Sequence, residues 1–405
     1  MLLIITVGTG TAGRYSNLAQ GLINTIRLSK PRAYWLLPSS NSDSSAVADL
    51  IREEMPDLFC PWNNASRYSC ILNPDSIVNC RSTVRSVIRH VREQLQPQEA
   101  LILNATAGTK QMSAGATLAA LDEEIPIIQF TIGERIEGVV KTGTERLEEF
   151  DAATFLHERA LIEARRLYEA GALNGAAKLL QAWAERFEVC RHARDIADCA
   201  HAWQRLDFEQ ARKIAAKSDA PALQRHRSGL TQLAKESHTA IASKACLAEL
   251  IASADRCASW LDNEDALARL YRAVELGAKL RLASHHHLAL PYTREKLERL
   301  LPTFARQWSD WSPNEALRLG LQELIRLLVA LKDDFGISIT QDWRIRRILE
   351  TRHQTIYGHG LGHISSDDLQ AVQDLIRRVM KSNPLPEPLA WPEFPVPAFD
   401  VPRAI

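Results

Sequence analysis

The sequence has no surplus of either charge: lysine and arginine number 49, aspartate and glutamate 49, in 405 residues. A polybasic, histone-like nucleic-acid binder is thereby excluded, and any nucleic-acid site must be a local cleft. There is no C-x-x-C pair. The seven cysteines are scattered, with Cys60, Cys70 and Cys80 ten residues apart, which argues against a zinc or disulfide framework and reads as reduced cytosolic thiols. No apolar run reaches the roughly 18 residues that span a membrane. The opening MLLIITVGTG has a short apolar run and no basic residue, and it passes straight into a glycine turn, unlike a secretory leader. A soluble, cytoplasmic chain with no membrane partner is expected, long enough for two or three domains with proper cores.

What is present divides by pattern. Residues 1 to about 148 alternate short apolar runs with helical stretches, the signature of a Rossmann-like α/β domain with a parallel sheet and crossover helices. The expected strands are Leu2 to Val7, Ala33 to Leu37, Tyr68 to Leu72, Leu101 to Asn104 and Ile125 to Thr131, with Glu137 to Thr142 as an edge hairpin strand. From about Asp151 apolar residues recur every three or four positions among many alanines, predicting an all-α C-terminal half. No fixed repeat period is found in it. Residues 149–261 read as a helical connecting region and 262–382 as a separate helical domain, whose last helix Ser365 or Ser366 can cap. Residues 383–405 form a proline-rich tail that cannot be helix and is expected to run extended along a surface.

Two glycine loops follow strands in the N-terminal part. The first, GTGTAG from Gly8 to Gly13, matches the dinucleotide fingerprint G-x-G-x-x-G. That fingerprint needs an acid at the end of the second strand to hold the ribose, and here AYWLL ends in PSSNS, with Asp43 several residues further on. The second, NATAGTKQM from Asn104 to Met112, offers backbone amides, hydroxyls and Lys110 to an anion, and is not a P-loop. Both fall at the carboxyl ends of their strands, where open parallel sheets bind ligands. Taken singly, Gly8, Gly10 and Gly108 are equally well read as tight turns.

Near the C-terminus the chain reads RHQTIYGHG, from Arg352 to Gly360. An arginine followed at similar spacing by a histidine also occurs at Arg85 and His90, Arg186 and His192, Arg194 and His201, and Arg281 and His286, so spacing alone says little. The last copy differs in the glycines on both sides of His359, which favour a sharp helix end. The run His285, His286, His287 is not a metal signature, because adjacent helical residues point in different directions and no matching acid or cysteine pattern follows.

Together TVGTGT, NATAGTKQM and the closing R-x6-H-G resemble the CARF–HEPN ribonucleases of type III CRISPR systems. The resemblance implies a CARF sensor domain over residues 1–148 that binds cyclic oligoadenylate, and a dimeric HEPN domain over 262–382 that cuts single-stranded RNA without a metal. The activator is then the only small ligand, with no cofactor. In the second motif, usually N-x-T-G-G-T-K-x-M, Asn104, Thr106, Gly108, Thr109, Lys110 and Met112 match while Ala107 replaces a glycine. The resemblance thus assigns ring binding to Gly8, Thr9, Gly10, Thr11, Asn104, Thr106, Ala107, Gly108, Thr109 and Lys110. It makes Arg352 and His359 the catalytic candidates, with His353 as a variant of the residue that follows the arginine.

The chemistry suits those residue types. RNA supplies its own nucleophile, the 2′-hydroxyl, so an enzyme need only position the strand, move protons and stabilise added negative charge. Histidine titrates near neutrality, which fits His359 for proton transfer. The guanidinium of Arg352 is a permanent planar cation suited to a phosphate. In a continuous helix the two would lie about 10 Å apart along the axis, so Gly358 is expected to break the helix and let His359 fold back. A non-catalytic ring-sensing regulator and a dinucleotide-dependent oxidoreductase remain as alternative readings.

Overall fold

Leu2–Val7 is buried at every position, as a strand covered on both faces must be, and its unbroken apolar run LLIITV makes it the centre of a parallel sheet. In the computed structural model, which describes residues 1–9, 15–61, 70–136, 139–308, 310–341, 355, 357, 360–380 and 384–395, the chain divides into two compact units, Met1–Arg159 and Ala160–Ile405. The first unit runs β1 (Leu2–Val7), α1 (Tyr15–Ser29), β2 (Ala33–Pro38), α2 (Ser42–Glu54), α3 (Ile77–Arg92), β3 (Leu101–Asn104), α4 (Lys110–Asp122), β4 (Ile127–Ile132), β5 (Arg135–Ile136), β6 (Val139–Val140) and β7 (Arg146–Asp151). Its five-stranded sheet has the order β2-β1-β3-β4-β7. The first four strands are parallel, with Leu2 beside both Ala33 and Leu101, while β7 lies antiparallel on β4.

Each helix of this unit has a sequence reason to start where it does. Asn41 caps α2 by accepting from the Asp43 amide, Ser76 caps α3 from Asn79, and Thr109 caps α4 from Met112. In α3 the buried residues Cys80, Val84, Val87, Ile88 and Val91 form one helical stripe. Arg85 and Arg89 on its solvent side reach Glu123 just after α4, tying the two helices together.

Three sequence expectations change here. Of the Tyr68 to Leu72 strand, residues 68 and 69 lie outside the described residues, and Ile71 makes only an isolated bridge to Ser39. The single edge strand expected at Glu137 to Thr142 is instead part of a two-residue hairpin, β5 against β6. The sheet's real edge is β7, RLEEFD, whose charges hide it from an apolar pattern and also protect an open edge from further pairing.

The second unit is helical, beginning within α5 (Ala152–Glu169) and continuing through α6 (Leu173–Leu180), α7 (Glu188–Gln204), α8 (Phe208–Lys217), α9 (Pro221–Gln224), α10 (Arg227–Ser237), α11 (Lys244–Ser259) and α12 (Asn263–His285). A two-residue ladder, Tyr292–Thr293 against Ala316–Leu317, interrupts it beyond Pro291, where proline cannot continue a helix. Its last helix, Ser366–Met380, is capped by Ser365, which accepts from the Asp368 amide at 3.1 Å.

The proline-rich tail does more than lie on a surface. Over residues 384–395 it has no helix or strand, and Trp391 packs among Tyr168, Trp203 and Trp260 at centroid distances of 6.3, 5.4 and 6.3 Å. The Arg256 guanidinium stands 4.1 Å from the centre of the Trp391 ring, and burial pulls its pKa down to about 10. The Tyr168 hydroxyl donates to the Pro392 carbonyl at 2.7 Å, and the Leu389 amide donates to buried Glu249.

Candidate ligand-binding site

At the carboxyl ends of β1 and β3 the two glycine loops meet backbone to backbone. A Cβ on Gly8 would stand 2.8 Å from the Gly108 nitrogen and 3.0 Å from its Cα, so only glycine permits this approach. Gly108 itself has φ +113°, a conformation closed to L side chains, and it rests on Met112 of α4. The contact brings the start of α4, with its outward amides, beside the end of β1.

Beside the joined loops is a cavity of about 420 Å³. Gly8, Thr9, Thr106, Ala107, Gly108 and Thr109 line one side, and Asn17, Gly21 and Thr25 of α1 line another. Arg135 and Glu145 are the charged residues among the lining side chains.

The floor is a directional hydrogen-bond chain. Asn104 Nδ2 donates to Thr131 Oγ1 at 3.1 Å, and Thr131 and Thr25 hydroxyls are 3.0 Å apart. Because the Thr25 hydroxyl spends its one hydrogen on the Gly21 carbonyl at 2.9 Å, Thr131 donates to Thr25. Asn104 Oδ1 in turn accepts from the Thr106 amide, and Thr106 Oγ1 accepts from the Thr131 amide at 2.6 Å. Every polar group of the buried Asn104 side chain thus has a task within the wall.

The sequence-predicted residues therefore separate into kinds. Thr9, Thr106, Ala107, Gly108, Thr109 and Gly8 reach the cavity. Asn104, fully buried, holds the floor from beneath. Thr109 uses its hydroxyl on the Pro74 carbonyl at 2.6 Å and on the Met112 amide, so it fixes the loop. Lys110 is exposed in the first turn of α4 and is not part of the cavity wall. Gly10 and Thr11 lie outside the described residues. Asp43, the acid nearest the end of the second strand, sits in the first turn of α2 with the Tyr15 hydroxyl as partner, not in the cavity wall. Glu145, Arg135, Thr25 and Thr131 were not foreseen, since no local motif announces residues brought from α1, β4 and the return to β7.

In the helical unit Arg352, His353 and His359 lie outside the described residues. Around them, Thr355 is buried and its carbonyl accepts from the Gly360 amide at 3.3 Å. Tyr357, 45 % exposed, lines a second cavity of about 490 Å³ together with Arg269, Arg272 and Lys279 of α12. Past the motif, the Ile364 carbonyl accepts from Asn263 and its amide donates to Glu264, so this stretch is tied to the start of α12. Of the histidine run, His286 Nε2 lies 2.7 Å from Asp333 Oδ2, beside the Arg281 ion pair at 2.8 Å. Among the described residues Glu188, His192 and Asp219 could gather on a metal, but His192 and Arg191 already engage Asp219 at 2.9 and 3.0 Å. No helix among the described residues is long and apolar enough to cross a membrane.

Two comparisons bear on this arrangement. Residues 236–383 match the family described as the Csm6 HEPN domain. The whole chain is similar in fold to Enterococcus italicus Csm6 bound to cyclic hexa-2′-fluoro-hexa-dAMP, with TM-score 0.62 over 94 % of each chain at 10 % identity. No curated protein matches the chain. The resemblance to CARF–HEPN proteins and the α/β-then-helical fold class read from the sequence are borne out.

Proposed function

We propose that the chain is a cyclic oligoadenylate-activated, metal-independent endoribonuclease of type III CRISPR antiviral defence, working as a cytoplasmic homodimer on single-stranded RNA. The observation that carries this reading is the cavity built by the touching Gly8 and Gly108 loops, in one chain with a segment matching the Csm6 HEPN domain. The solved relative's cyclic hexanucleotide analogue supports the ligand class. In this reading residues 1–148 sense the ring, 149–261 connect, 262–382 cut RNA, and the 383–405 tail fastens the helical unit.

Ring binding would use the cavity's donors. The α4 N-terminus and Arg135 suit phosphates, and the threonine-lined floor holds the loops in place while the ring enters. A ring with repeating symmetry suits a two-fold dimer, each chain holding half, so that the ligand biases one arrangement of the two sensors. In the nuclease, the 2′-hydroxyl oxygen attacks the adjacent phosphorus and the 5′-oxygen leaves, giving a 2′,3′-cyclic phosphate and a 5′-hydroxyl. His359 moves the proton and Arg352 stabilises the charge on the phosphoryl oxygens, with His353 beside them.

The test is cleavage by purified Arg352→Ala and His359→Ala chains with ring present. Both should bind ring and leave RNA whole. Normal turnover by either would remove the catalytic assignment, and a wild-type chain that binds ring without cutting RNA would be a sensor of the regulatory kind.

A further inference from the structure

The ring site contains a carboxylate, which a phosphate-binding loop does not need. Glu145 reaches the cavity wall from the return between β6 and β7. Its Oε2 accepts from the Gly143 amide at 2.7 Å and from Asn24 Nδ2 of α1 at 3.3 Å, which fixes the group in place. Its Oε1 is shut off from solvent and has no partner. A carboxylate oxygen left without a donor is costly, so a ligand that brings a donor there gains more than an ordinary hydrogen bond. The nearest backbone, Gly21, leaves room, since even a Cβ there would stay 3.4 Å from Oε1.

Charge decides what faces this oxygen. A phosphodiester would be repelled, and Arg135 is the cation on the same wall. The same wall carries Leu18 and Leu22 of α1 and Val140 of β6, apolar surface suited to a flat heterocycle. The geometry points to Glu145 as the residue that selects adenine, its carboxylate accepting from the exocyclic 6-amino group of a base held against Leu18 and Val140. This rests on the ring-sensing reading above and adds to it the source of base identity. A ribose 2′-hydroxyl is the other donor that a nucleotide ring could offer to the same oxygen, and the test separates the two.

Full-length chain is titrated by calorimetry with cyclic hexaadenylate, its hexainosinate counterpart, which carries a carbonyl in place of the amine, and its 2′-fluoro form, which keeps the amine and loses the hydroxyl donor. Wild-type protein should bind the inosine ring about 10- to 100-fold more weakly than the adenine ring, the loss of a charged hydrogen bond, and the 2′-fluoro ring nearly as well as adenine. Glu145→Gln, whose amide can accept or donate, should bind both bases within about threefold. Equal binding of adenine and inosine rings by the wild type overturns the assignment with no variant needed, as does discrimination unchanged in Glu145→Gln or a 2′-fluoro ring as weak as the inosine one. If none of the three rings binds wild-type protein, the ring-sensing reading itself fails, and this inference with it.

Discussion

Gly8→Ala is the sharpest single perturbation of the sensor. The added methyl would sit 2.8 Å from the Gly108 nitrogen and 3.0 Å from its Cα, where ordinary contact begins at 3.4 Å. Both opposing atoms are backbone, so no side chain can swing aside. The loops must separate by about 0.6 Å or more, and small-to-large changes in packed places cost about 1–3 kcal/mol. Gly8 has no left-handed φ, so the cost comes from the contact and not from conformational strain. If the ring spans both loops, most of that cost appears as lost affinity, about 5- to 150-fold in Kd. Calorimetric titration with cyclic tetra- and hexaadenylate, paired with a thermal melt, reads both parts. Unchanged affinity together with an unchanged melting temperature would refute the reasoning, because it would mean that the contact between the loops yields freely or lies away from the ligand.

Other expectations concern the helical unit and the stoichiometry. Trp391→Ala should cost about 3–5 kcal/mol in urea unfolding, since it empties the nest of Tyr168, Trp203, Trp260 and Arg256; a loss below about 1 kcal/mol would show the tail to be loosely held. Burial alone would raise the Asp333 carboxyl, but hydrogen bonds from Arg281 and His286 outweigh it and hold the pKa below the usual carboxylate value. Its stabilising contribution is therefore present above the unfolded carboxylate pKa of about 3.9 and lost as pH falls through the lower folded value. Asp333→Asn should flatten the acid limb of the stability profile, and Asp333→Ala, which strands Arg281, should cost about 3–5 kcal/mol; an acid limb identical to wild type in the Asn variant would contradict this. Ring should bind at about 0.5 per chain in a two-fold dimer, and a ratio near one would show each chain sensing alone.

How far the sequence could be read depended on where each residue's partners lie. β1 was legible to the residue because a strand buried on both faces is an uninterrupted apolar run. β7 was invisible for the opposite reason: its exposed RLEEFD carries no alternation, and only its pairing with β4 makes it a strand. The glycine loops could be seen because their spacing is local. That Gly8 touches Gly108 across a hundred residues could not, nor could Glu145 arriving at the cavity from the far edge of the sheet. Asn104 shows a subtler limit. Its place in the motif suggested a ligand contact, yet burial turns its amide inward to Thr131 and the Thr106 backbone. The tail's prolines correctly excluded helix, while its aromatic residues, which fasten it to the helices, gave no hint of their partners.

The account is tested most directly by the rate at which the purified full-length chain cuts a fluorescent single-stranded RNA in EDTA, measured with and without each cyclic oligoadenylate. It predicts that the RNA stays whole without ring and is cut when the matching ring is added, with the chelator present throughout. RNA left whole with every ring, or cleavage that appears only when a divalent ion is restored, would contradict it.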